Sequence, residues 1–112
     1  MILEYDPTIR IIYKRIGLVG SATNHGWDST IPMTLVDPDK RIWSIRIHLS
    51  KGEIKFREGD TWDDNWGANY VPDGTLMESG DNIPVEEGNY EVQLDMMNKT
   101  YVLTRVNDLK GE

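Results

Sequence analysis

Three stretches of strict period-two alternation restrict this chain to building sheets. Residues 42–49 (IWSIRIHL) put Trp43, Ile45, Ile47 and Leu49 on one side and Ser44, Arg46 and His48 on the other. Residues 53–58 (EIKFRE) turn Ile54 and Phe56 inward and Lys55 and Arg57 outward, and residues 90–96 (YEVQLDM) align Tyr90, Val92, Leu94 and Met96. No window longer than a turn repeats at helical spacing. Residues 10–19 (RIIYKRIGLV) add a β-branched run ending at Gly20, residues 32–36 a short apolar run, residues 82–85 a short strand, and residues 100–106 a closing strand. Turn residues separate them: Asp37-Pro38-Asp39-Lys40, Lys51-Gly52 as a hairpin turn, Glu87-Gly88-Asn89, and Asn98-Lys99 as a two-residue turn. Short strands with such punctuation predict an all-β fold, an antiparallel sandwich or barrel, with Ile45, Ile47, Ile54, Phe56, Val92 and Leu94 in its core. The 112 residues suit one domain spanning 1–112, its charged tail 107–112 frayed.

Charge narrows the partners. Nineteen acidic against 12 basic residues give a net charge of −7. Phosphate-rich nucleic acid and anionic membrane surfaces need a cationic face, so both are disfavoured. A neutral ligand such as a sugar meets no such penalty. The absence of cysteine excludes disulfides, thiolate catalysis and Cys-ligated zinc. No run is long enough to span a bilayer, and residues 1–6 do not read as a signal peptide.

The tryptophans are unusual in their placement. Trp43 belongs to an alternating strand and reads as core. Trp62 and Trp66 lie in DTWDDNWG, within an expected long loop from Gly59 to about Gly80, and Trp27 lies in the loop NHGWD. An indole left in water forfeits a large burial energy, so an exposed one asks for a reason. A pyranose supplies one: its C–H face stacks on the ring while its hydroxyls hydrogen-bond to nearby side chains. Lys55 and Arg57, on the strand entering the loop, are the expected donors. The plainer alternative is that a loop Trp folds back to seal an open end of the sandwich, an even chance for any one of the three, and that Lys55 and Arg57 are solvated strand charges.

Catalytic signatures are weak. Asp60, Asp63, Asp64, Glu86 and Glu87 are adjacent solvated acids, without the asymmetric pair that glycoside hydrolysis needs. His25 and His48 have no partner at metal-ligand spacing, and the acidic loop lacks calcium-loop spacing. Neither catalysis, nor a metal, nor any cofactor is expected.

An ordered series of motifs adds to this reading: IGLVGSAT from Ile16, Gly26-Trp27-Asp28, Pro32-Met33, GEIKFR ending at Arg57, Trp62, Asn65-Trp66-Gly67, GDNIPV ending at Val85, and Gly88-Asn89-Tyr90. It resembles the C-terminal modules of SusE/SusF-type outer-membrane lipoproteins of starch-utilisation systems and, more loosely, starch-binding-like modules attached to pullulanases. The resemblance implies an immunoglobulin-like carbohydrate-binding sandwich without catalytic activity, one of several tandem domains at the cell surface, that takes α-glucans on stacked aromatics beside a Lys or Arg. Carried over, the platform aromatic is Trp27, the basic residue Lys55, and the second aromatic Trp62 or Trp66. The lipid-anchor cysteine of such proteins is not in this chain. The competing expectation is a spacer or protein-contact domain of the same fold without a glycan site.

Overall fold

The computed structural model describes residues 15–69 and 73–107. Among the described residues, ten strands form two antiparallel sheets packed as a sandwich, and no helix occurs. The first sheet runs β2 (Ile31–Pro32), β1 (Ile16–Val19), β5 (Gly52–Glu58), β6 (Asn65–Ala68), β7 (Leu76–Glu78), with β8 (Ile83–Val85) also paired to β5. The second runs β10 (Thr100–Arg105), β9 (Gly88–Asp95), β4 (Ile42–Leu49), β3 (Thr34–Asp37).

The core follows the alternation. Ile54, Phe56, Val92 and Leu94 are fully buried, as expected, and Trp43 joins them. Ile45 and Ile47 are only half-buried and pack against the margin of the core. Phe56 ties the layers together. It is flanked in its own sheet by Leu18 and Trp66, and its ring lies 6.3 Å from that of Tyr101 in the opposite sheet.

Several expectations are corrected. Lys51-Gly52 is not a hairpin turn: β4 pairs with β3 and β9, while β5 pairs with β1, β6 and β8, so the chain changes sheets there. The reason is the loop after β1, which inserts at this point. Ala22 accepts from Ser50 N–H and donates to the Glu53 carbonyl. The apolar run 32–36 is likewise split. Met33 is buried at a second change of sheet, between β2 and β3, its N–H bonded to Ile16 O. The long loop after Gly59 contains β6 and β7. Asn65 and Gly67 disguise β6; Gly67 is required because a Cβ there would overlap the Asp81 carbonyl, to which Ala68 is bonded. The β9–β10 connection is not a two-residue turn. It spans residues 96–99, capped by the Asp95 carboxylate, which accepts from the N–H groups of Met97 and Asn98. Of the expected strand 10–19, residues 10–14 lie outside the described residues, as do 108–112 of the tail.

Candidate functional site

β1 is buried along its whole length, which a half-exposed outer strand would not be. Ile16 and Leu18 face the core. Gly17 and Val19 face away from it, cross-strand from Arg57 and Lys55. The outer face of the first sheet is therefore covered by loops: residues 20–30, after β1, and 59–64, after β5. The site is built in this second layer.

The first loop is folded tightly enough to fix the position of Trp27. Thr23 donates its hydroxyl to Gly20 O and its N–H to the same carbonyl, and Gly20 N–H closes the loop onto Gly26 O. Gly26 sits at φ 59, a left-handed conformation that a side chain would strain. It turns the chain so that Trp27, half-buried, faces Trp62 with ring centroids 6.0 Å apart and planes tilted by 42°. Trp62 remains 45% exposed.

Trp62 lies against the two basic residues of β5. The Arg57 guanidinium carbon lies 4.5 Å from the ring centroid and the Lys55 ammonium 5.6 Å. Asn65 joins these parts. Its Oδ1 accepts from Lys55 Nζ at 2.7 Å, and its Nδ2 donates to the Trp62 carbonyl at 2.9 Å. The sequence reading missed Asn65. Only the register, which sets it opposite Arg57 on the outer face, reveals its place.

Exposure separates Trp66 and Arg57 from the other candidates. Trp66 is 2% exposed and belongs to the core, because cross-strand pairing puts it on the same face as Phe56. Of the three loop tryptophans, this one is the plug. Arg57 does point away from the core, but it is 2% exposed and not a solvated donor. Its Nε donates to Thr30 Oγ1 at 2.6 Å, and Thr30 passes the hydrogen bond on to Gly59 O. Thr30 can sit there because residue 17 is glycine: a Cβ would collide with its methyl group and lie 2.5 Å from Ile31 O. Asp60 completes the cluster, accepting from Thr30 N–H at 3.0 Å. That hydrogen bond first, and the Arg57 charge with it, hold the Asp60 carboxyl below its ordinary value.

Partial burial lowers the Lys55 ammonium from the ordinary lysine value, with the Asp81 carboxylate acting in the opposite sense. The folded state thus binds this proton less tightly than the unfolded chain. Its contribution to stability is unfavourable at neutral pH and is relieved as pH rises from the folded value to the ordinary lysine value. The ammonium should also be lost as a hydrogen-bond donor earlier in an alkaline titration than an ordinary lysine near 10.4. The stability of the parent relative to Lys55→Met, measured by denaturant unfolding, is therefore expected to rise along that alkaline limb. An identical pH profile in both proteins would show that the Lys55 ammonium is not perturbed by folding.

Among the described residues no cluster of three or more His, Asp or Glu could hold a metal ion, and no helix is long and apolar enough to cross a membrane. The arrangement is a shallow aromatic surface with a flanking cation, suited to stacking and hydrogen bonding. Over 82 residues the chain is 29% identical to an amylopullulanase of Thermoanaerobacterium thermosulfurigenes, an alignment covering 67% of this chain and 4% of that protein. Residues 15–102, which include every residue of this second layer, match the family of SusF/SusE starch-specific carbohydrate-binding modules, and the chain belongs to that family.

Proposed function

We propose that the chain binds a starch-like α-glucan, without catalysis, on Trp27 and Trp62, with Lys55 donating to sugar hydroxyls. The observation that carries this reading is the tilted indole pair with a cation at its side. Two rings at 42° cannot both lie flat against a straight, ribbon-like polysaccharide, whereas a curled α-linked chain offers successive sugar faces at an angle. Family membership supports the same substrate class. Affinity from two stacked rings and a charged hydrogen bond should be weak, on the order of 0.01–1 mM. Such affinity suits a single immunoglobulin-like module of a larger cell-surface glycan-uptake protein, where neighbouring modules add avidity. An outer-membrane, lipid-anchored parent fits this role.

Native gels cast with soluble starch, a soluble cellulose derivative or mannan test the proposal. Starch alone should retard the protein, and prolonged incubation should release no reducing ends. Equal mobility in all three gels would favour the spacer reading. Retardation by cellulose but not starch would overturn the substrate class.

A further inference from the structure

We propose that Arg57 is a positioning residue, not a sugar ligand: its buried guanidinium forms the floor on which the Trp62 ring is held for stacking. This rests on the reading of Trp27 and Trp62 as a glucan platform and assigns Arg57 a role that the sequence does not suggest.

Three observations place the guanidinium under the ring. Its carbon lies 4.5 Å from the Trp62 centroid, within the range of a cation–π contact. Arg57 leaves β5 on the same side as Lys55, so the strand side of the ring is the one it covers, and the 45% exposure of Trp62 lies toward solvent. Arg57 itself is almost completely enclosed, so a sugar on the outer surface could reach it only after the ring had moved.

The guanidinium is also fixed in place. Nε is locked to Thr30, which is locked to Gly59 and, through its N–H, to Asp60. Nη2 is buried without a hydrogen-bond partner and has the Asp60 carboxylate at 3.9 Å. Leaving such a donor unpaired is costly unless the charge is stabilised another way. The Trp62 π-face and the Asp60 charge supply that stabilisation. Arginine suits the position better than lysine because its flat, weakly hydrated guanidinium can stack on an indole while its edge keeps a hydrogen bond. Trp62 leaves the loop two residues before Asp64, whose carbonyl bonds Glu58 N–H. Without its floor, the ring would be held on that side by the more distant Lys55 ammonium and by the Asn65 bond to its carbonyl.

The test combines a mutant cycle with optical readouts. Arg57→Met keeps length and apolar contact but removes charge and donors. Thr30→Val removes the hydroxyl that accepts from Nε and donates to Gly59 O, leaving the guanidinium itself in place, and serves if Arg57→Met does not fold. Both should weaken maltoheptaose binding, Arg57→Met by roughly three- to thirtyfold, the range spanned by a desolvated cation–π contact. Both should diminish the far-ultraviolet exciton couplet of the Trp27–Trp62 pair and increase quenching by acrylamide. In a Trp62→Leu background, Arg57→Met should change affinity less than about twofold, since the ring it positions is gone. The same loss in both backgrounds would make Arg57 a direct ligand and overturn the proposal. An unchanged couplet and unchanged quenching would overturn it equally. If Trp62→Leu binds like the parent, the platform reading fails; the optical readouts still decide whether Arg57 holds the ring.

Discussion

Replacing Phe56 by Ala is expected to lower stability by about 3–5 kcal/mol, and Trp66 by Ala by a similar amount, the usual cost of truncating a buried aromatic. Phe56 has no exposed surface, is hydrogen-bonded through β5 to strands on both sides, and touches Tyr101 across the sandwich. A domain of this size has only about 5–15 kcal/mol in total. A melting temperature lower by roughly 15 °C or more, read by circular dichroism, is the expected result. The two variants check different things. Phe56→Ala checks the inward face of β5, which the alternation predicted. Trp66→Ala checks a placement that the sequence left open between plug and platform. A Trp66→Ala protein that melts like the parent but no longer binds starch would return Trp66 to the binding face, and the register of β6 against β5 would then be in error.

The sequence made the sheets legible because strand alternation is local. Six to eight residues are enough to show which way Phe56 or Leu94 points, with no knowledge of neighbours. Features that depend on distant segments were not legible. Arg57 alternates outward like any solvated strand residue. It is buried because Thr30, 27 residues away in the chain, and Trp62 close over it. Whether Lys51-Gly52 turned a hairpin or a change of sheet was decided by Ala22, far earlier in the chain. β6 failed to register as a strand because two of its four residues are Asn and Gly, chosen for contacts to Lys55, Trp62 and the Asp81 backbone.

The same contrast governs the candidate site. Trp27, Lys55 and Trp62 stand out in the sequence because an indole in a polar loop beside a basic strand residue is visible there, and the structure brings the three side chains together. Sequence could not divide the loop aromatics into plug and platform. Trp62 and Trp66 are four residues apart in one acidic segment, and only pairing with β5 turns one inward. Nor could it separate the two cations. Lys55 and Arg57 leave the same face of the same strand, yet one is half-buried beside the rings and the other enclosed beneath one of them.

Trp62→Ala is expected to have the largest effect on binding and little effect on folding. Trp62 is 45% exposed, so its removal opens onto solvent and leaves no enclosed cavity. Stability should fall less than for a core ring, by about 1–2 kcal/mol, since the Arg57 guanidinium loses its π-face but regains water in exchange. The stacking surface, by contrast, is halved. Truncating a central aromatic anchor commonly costs about 2 kcal/mol or more of binding energy, or roughly 30-fold in affinity. Starting from an affinity on the order of 0.01–1 mM, the variant should run unretarded through starch gels while melting close to the parent. Trp27→Ala should show the same direction with a larger stability cost, because that ring is half-buried against its loop. The decisive comparison is Trp62→Ala with Trp66→Ala. The first should lose starch and melt near the parent; the second should melt roughly 15 °C or more below it. If Trp62→Ala retains full affinity while remaining folded, no glucan stacks on this ring.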